Sequence, residues 1–166
     1  MKRKVLSLFL VVAMVLSLGI TVSAAEPADD LSGAVVILHT NDVHGAIDGY
    51  AKAAALKKTY EDMGAYVLLM DAGDFSQGDP TVSASQGATA VELMNLAGYD
   101  LAAPGNHEFD YGYQNLSTLA GEAEFPIVAA NVLYNGKTAF EDNVTFTAPG
   151  GTKIGVFGLD TPETAT

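Results

Sequence analysis

The sequence predicts an α/β protein in which strands alternate with helices around a largely parallel sheet. Three observations carry this reading. Short runs rich in β-branched and aliphatic residues alternate with stretches striped at helical spacing. A polar, mostly glycine-bearing cluster follows each of the first three runs. At 166 residues, 49% hydrophobic and 17% charged, the chain has the size and composition of one globular domain.

The first segment stands apart from that pattern. Lys2, Arg3 and Lys4 precede an apolar run that ends at "TVSAA", which is the layout of a secretory signal cleaved after Ala24. The alternative is a retained anchor, because Val5 to Val22 is nearly long enough to span a bilayer. Gly19, Thr21 and Ser23 weaken the end of that run and Val22-x-Ala24 suits a peptidase, so residues 1–24 are read as a signal peptide, with no stable membrane insertion after cleavage. Residues 25–33 form a polar linker, and 34–166 the folded domain.

Within the domain, Ala34 to Thr40 ("AVVILHT") reads as a buried strand. A helix from about Tyr50 to Met63 sets Ala53, Leu56, Tyr60 and Met63 on one face, leaves Lys52, Lys57, Lys58 and Asp62 largely off it, and stops at Gly64. Ala65 to Asp71 is a second strand. Ala90, Leu93, Met94 and Ala97 stripe a second helix that Gly98 caps. "DLAAP" is a short third strand, about Tyr113 to Ala123 a weaker helix, and "FPIVAAN" a fourth strand. Asn135-Gly136 marks a tight turn. Phe140 to Thr147 and Lys153 to Leu159 pair across Pro149-Gly150-Gly151.

Charge and cysteine content narrow the chemistry. Twenty acidic residues face eight basic ones, a net charge of −12. Three of the eight lie in the signal, so the mature chain carries five against twenty, or about −15. Such a chain has no electrostatic reason to bind a nucleic acid polymer or an anionic lipid surface. An exported chain with no cysteine has no disulfides, and any metal site must use oxygen and imidazole nitrogen.

Parallel strands joined by right-handed crossovers bring their carboxyl ends to one edge of the sheet, the edge where ligands bind in such folds. The three clusters fall there: "NDVH" (Asn41 to His44), "DAGDFSQG" (Asp71 to Gly78) and "GNHEFD" (Gly105 to Asp110). Asp42 and His44 are two apart, so in an extended segment both point the same way and grip one ion. Asp74 lies in a glycine-flanked loop, where its two oxygens can bridge two cations. Asn106 offers a neutral carbonyl oxygen. Hard oxygen with imidazole suits Zn²⁺, Mn²⁺ or a similar divalent ion. His39 lies within the first strand and is read as a hydrogen-bonded core histidine or a support for the site. Asp71, Ser76 and Gln77 are read as shaping their loop, and Glu108 as pointing away from the site.

"ILHTNDVHG", "DAGDFSQG" and "PGNHEFDYG", in that order and spacing, resemble the metal-binding motifs of the 5′-nucleotidase family of dinuclear metallophosphoesterases. The resemblance runs from about Val35 to the end, and "KIGVFGLDTPET" is similar to a strand and turn that follow in those enzymes. It implies the N-terminal part of a four-layer α/β/β/α metallophosphoesterase domain. It implies Asp42 and His44 as ligands of a first metal, Asp74 as the carboxylate bridging two divalent ions, and Asn106 as a ligand of the second. His107 would be the catalytic histidine facing the phosphate, oriented by Asp110. In that chemistry two cations about 3.5–4 Å apart activate a water for in-line attack on phosphorus. A protonated His107 adds positive charge where negative charge builds up.

The resemblance implies nucleotide substrates and phosphate release from nucleoside monophosphates, and no protein partner is predicted. A 2′,3′-cyclic-nucleotide phosphodiesterase, a nucleotide-sugar hydrolase or a non-catalytic metal- or nucleotide-binding module are the alternatives. Family members complete their centre with later histidines, a glutamine and a base-stacking C-terminal domain, whereas no histidine follows His107 here. The expectation is therefore a truncated catalytic domain with little activity of its own, exported to a periplasm, cell wall or medium.

Overall fold

The computed structural model describes residues 30–164, so the expected signal peptide lies outside the described residues. The elements run β1 (Val35–Thr40), α1 (Asp48–Asp62), β2 (Tyr66–Asp71), α2 (Pro80–Ala84), α3 (Ala88–Ala97), β3 (Leu101–Ala102), a 3-10 turn (Asn106–Phe109) and α4 (Tyr113–Glu122). Two antiparallel hairpins follow, β4 (Leu133–Tyr134) with β5 (Lys137–Thr138) and β6 (Asn143–Thr147) with β7 (Lys153–Phe157), then a 3-10 turn (Pro162–Thr164).

The α/β expectation holds. β1, β2 and β3 form a parallel sheet in that order, with Val35 opposite Tyr66 and Thr40 opposite Asp71. Alternating side chains face opposite sides of a strand, so one sheet face takes the helices and the other takes the β6–β7 hairpin. On the helix side, Leu69 packs with Phe75, Val91, Met94, Tyr99 and Leu119. On the other side, Leu68, Met70, Leu101 and Val128 pack against Val144, Phe146, Ile154 and Val156. The result is a helix–sheet–sheet layering, as expected of the N-terminal part of a metallophosphoesterase domain.

Several local expectations are corrected. β1 is an edge strand rather than a buried one. Its residues alternate between exposed and half-buried, and Ile37 is 54% exposed, because the hairpin does not extend over it. His39 lies on that open face and is exposed, so it is neither a core histidine nor a support for the site. The equally apolar β2 is buried on both faces because it is central.

In α1 the inward stripe is Tyr50, Ala53, Ala54, Lys57 and Tyr60, and Leu56 points out. Lys57 turns inward because its ammonium reaches the Gly98 carbonyl at 2.6 Å and Asp100 Oδ2 at 2.8 Å, while Asp100 Oδ2 also accepts from Leu69 N–H. "FPIVAAN" supplies only single bridges, Ile127 to Ala102 and Val128 to Glu141. The short helix α2 was not anticipated. Its signal is the Asp79-Pro80 pair, where Asp79 caps Thr81 N–H and Pro80 occupies the first turn.

Candidate metal centre

Each of the three polar clusters leaves the carboxyl end of its own parallel strand. The chain turns sharply there. Among the described residues, five non-glycine residues have left-handed backbone angles, and Asp42 (φ 52°), His44 (φ 46°) and Asp74 (φ 62°) are three of them. Such conformations persist only where the surroundings enforce them, and they concentrate at functional sites. Here backbone hydrogen bonds enforce them: Asp42 N–H donates to Gly73 O at 3.0 Å, and His44 N–H to Asp74 O at 2.9 Å.

The second and third loops meet backbone to backbone. A methyl group on Gly73 would lie 2.4 Å from Gly105 N, and one on Gly105 would lie 2.4 Å from Asp74 Oδ1. Only glycine allows this approach. Beneath the contact lies Glu108, fully buried, whose carboxylate accepts from four backbone N–H groups: Asp74 and Gly105 on Oε2, Phe75 and Ser76 on Oε1. Burial raises the Glu108 pKa, and those amides pull it back toward the charged form. Glu108 points away from the site as the sequence suggests, but it also ties the Asp74 loop to the His107 turn.

Those constraints bring His44, Asp74 and His107 together, with one ligand atom from each within 4.8 Å of the others. The His44 and His107 rings meet edge to face, 5.2 Å between centroids. Asp42 is more exposed, with Oδ1 3.8 Å from His44 Nε2 and Oδ2 accepting from Asn41 Nδ2 at 2.7 Å. Asn106 is half-buried and opens the turn that carries His107. His107 N–H donates to Asp74 Oδ1 at 3.0 Å, and Asp110 Oδ2 lies 2.8 Å from His107 Nδ1. The hydrogen bond to Asp110 raises the His107 pKa above its usual value. Imidazole and carboxylate donors brought together without sulfur fit a divalent ion such as Zn²⁺ or Mn²⁺.

Behind the site, Asp71 is buried, accepting from Thr40 Oγ1 and from Gly73 N–H, with Tyr99 OH 2.8 Å from Thr40 Oγ1. Burial pushes the Asp71 carboxyl up to about 7. The sequence reading of Asp71 as a loop-shaping residue agrees with its bond to Gly73. Gln77, read in the same way, has its side-chain Nε2 3.0 Å from His44 Nδ1. Sequence pattern had no means of pairing residues 33 positions apart.

An α/β sheet with Asp, His and Asn–His clusters on its carboxyl edge defines a metallophosphoesterase, and residues 35–165 match the family described as calcineurin-like phosphoesterase. The chain belongs to that family. It is 36% identical over 154 residues to snake venom 5′-nucleotidase of Gloydius brevicauda, covering 78% of this chain and 26% of that protein. It is 32% identical over 153 residues to 5′-nucleotidase of Bos taurus, covering 78% and 27%. The crystal structure of a 5′-nucleotidase precursor from Thermus thermophilus superposes with a TM-score of 0.68 at 30% identity, covering 77% of this chain and 29% of that one. Within the class, the chain falls in the 5′-nucleotidase family, and it spans under a third of each of these relatives.

Proposed function

We propose that the protein is an exported, metal-dependent phosphohydrolase that removes phosphate from nucleotides. The observation that carries this reading is the convergence of His44, Asp74 and His107 at the carboxyl edge of the sheet. The nucleotidase relatives supply the substrate class. Asp42, His44, Asp74 and Asn106 would hold the two divalent ions. When bound, the ions supply Lewis-acid activation of water and charge neutralisation at the phosphoryl group.

The remaining work falls to the chain's own groups. Asp110 occupies His107 Nδ1 and leaves Nε2 free to face the phosphate. The same contact keeps His107 protonated to higher pH, so the ring donates a proton or charge to a departing or developing oxyanion. Glu108 and the Gly73–Gly105 contact fix the distance between Asp74 and His107, so the reacting groups are positioned before substrate arrives.

Phosphate release from AMP, with added Mn²⁺ or Zn²⁺, tests this on the protein expressed from its complete reading frame. Activity that disappears in Asp74→Ala and His107→Ala is the expected result. Inertness toward AMP, 2′,3′-cyclic nucleotides, nucleotide sugars and NAD would leave a non-catalytic metal-binding module instead. The panel is broad because similar proteins are named for different activities. One is a trifunctional nucleotide phosphoesterase of Bacillus subtilis at 32% identity, and another a Haemophilus influenzae NAD nucleotidase at 27%. The second of these favours a dinucleotide substrate as the second reading. Export rests on the basic head and apolar run of residues 1–24, and secretion of a reporter fused to them checks it.

A further inference from the structure

A cavity of about 530 Å³ adjoins the turn that carries His107. Its lining comes from three segments: Phe109 and Tyr113 from that turn and the start of α4, Asn131 and Tyr134 from the approach to β4 and from β4 itself, Asp160 and Thr161 from the stretch after β7. The volume falls among those of small-ligand pockets, about 300–1,000 Å³. Two of the segments are tied together, since Asn131 Nδ2 donates to the Asp160 carbonyl at 2.7 Å and Asn131 Oδ1 accepts from Asp160 N–H at 2.9 Å.

An aromatic stack forms part of the lining. Tyr113 and Tyr134 lie nearly parallel, 14° between planes and 3.8 Å between centroids, and Phe140 packs against Tyr113 at 6.2 Å. Gln114 Nε2 donates to Tyr134 OH at 2.7 Å and holds the far end of that ring. Among the described residues Tyr134 meets no aromatic ring but Tyr113, and it is 39% exposed. The stack is open at Tyr134, where another planar ring can extend it.

The polar lining decides which part of a ligand fits. Among the described residues no lysine or arginine lines the cavity. Asp160, 7% exposed, sets a carboxyl group there, with Oδ1 accepting from Thr161 N–H at 2.7 Å and Oδ2 without a partner. Burial raises its pKa and the Asp74 charge pushes the same way, so the cavity lies within electrostatic reach of the metal centre. A lining with a carboxyl group and no cation has nothing to hold a phosphate. It suits an uncharged planar group that carries N–H or O–H donors.

We infer that this cavity is a nucleoside subsite, the base stacked on Tyr134 beside the centre that takes the phosphate. The inference rests on the phosphohydrolase reading above and says where the uncharged end of a nucleotide lies. Tyr134 touches that end and not the reacting atoms.

Adenosine, which has the base and sugar without the phosphate, isolates the subsite from the metal. ¹H–¹⁵N spectra of the metal-free chain titrated with adenosine are expected to show saturable shifts centred on Tyr113, Leu133, Tyr134 and Asp160, whereas inorganic phosphate leaves those signals in place. Tyr134→Phe keeps the ring and keeps the affinity. Tyr134→Leu keeps apolar bulk without the ring and weakens adenosine binding about 10-fold. In the protein expressed from its complete reading frame, Tyr134→Leu lowers kcat/KM for AMP about 10-fold relative to glycerol phosphate, which has no ring to stack. Adenosine shifts that are absent or that centre elsewhere overturn the inference, as does a Tyr134→Leu chain with unchanged affinity. If Tyr134→Leu fails to fold, the shift map of the unsubstituted chain still decides. AMP hydrolysis without adenosine binding at the cavity removes the subsite and leaves the phosphohydrolase reading standing. Adenosine binding there in a protein inert toward every phosphate ester does the reverse.

Discussion

His107 and Asp110 lie three positions apart on one tight turn, and their contact sets the protonation of the ring. If protonated His107 is needed for turnover, activity falls as pH rises past its elevated pKa. Asp110→Asn removes the hydrogen-bonded charge, so the basic limb of the kcat/KM profile moves to lower pH; an unmoved limb would assign that ionisation to another group. Asp71 makes a separate prediction about stability. Its carboxyl titrates at about 7 in the folded protein, against about 4 for an unperturbed aspartate. Between those values the folded state holds a proton that the unfolded chain has released, so stability falls as pH rises from about 4 to about 7. Asp71→Asn abolishes that slope, which amounts to roughly 2–4 kcal/mol, and thermal melts across the window measure it.

Loops, more than helices or strands, decide the geometry of the site, and Glu108 is the tie between two of them. Glutamine at 108 offers one oxygen where the carboxylate offers two, and it turns an NH₂ toward backbone donors. Glu108→Gln is expected to cost about 3 kcal/mol or more in denaturant unfolding. It should also loosen metal binding, because the Asp74 and His107 loops part together. Gly105→Ala tests the same junction from the backbone side, since its methyl group meets Asp74 Oδ1. It is expected to weaken Zn²⁺ binding more than it lowers the melting temperature, because the carboxylate must move aside.

The sequence carried the site better than its support. The approach of His44, Asp74 and His107 could be expected because a parallel sheet collects its carboxyl-end loops on one edge, whereas Asp42 and His44 take left-handed rather than extended backbone angles. The Asn135-Gly136 turn was equally plain, and both residues adopt left-handed angles there. Edge and centre are not encoded in an apolar run, so β1 and β2 read alike although only β2 is covered on both faces. Lys57 read as lying off its helix's packed face and Glu108 only as pointing away from the site, because their partners, the Gly98–Asp100 segment and four loop amides, are tertiary.

At the scale of the whole molecule, the acidic excess and the metal site are linked. A chain with twenty carboxylates and eight basic groups repels itself, and divalent ions bound only in the folded state oppose unfolding. Metal at about 100 times its dissociation constant should add roughly 2.7 kcal/mol to stability. Calorimetry with and without Zn²⁺ checks this, with Asp74→Ala expected to remove most of the increment. An equal gain in that variant would point to scattered surface carboxylates instead.

The bonds that hold the site also have a fixed reach along the chain: Thr40 to Asp71 spans 31 residues, Asp74 to Glu108 spans 34, and Lys57 to Asp100 spans 43. Each strand-and-loop unit is fastened by the one that follows it. A nascent chain can therefore close the first loop as soon as the second strand leaves the ribosome, but the Asp74 loop stays unfastened until Glu108 emerges. Among these groups the order along the chain is the order of fastening, with Glu108 following directly behind His107.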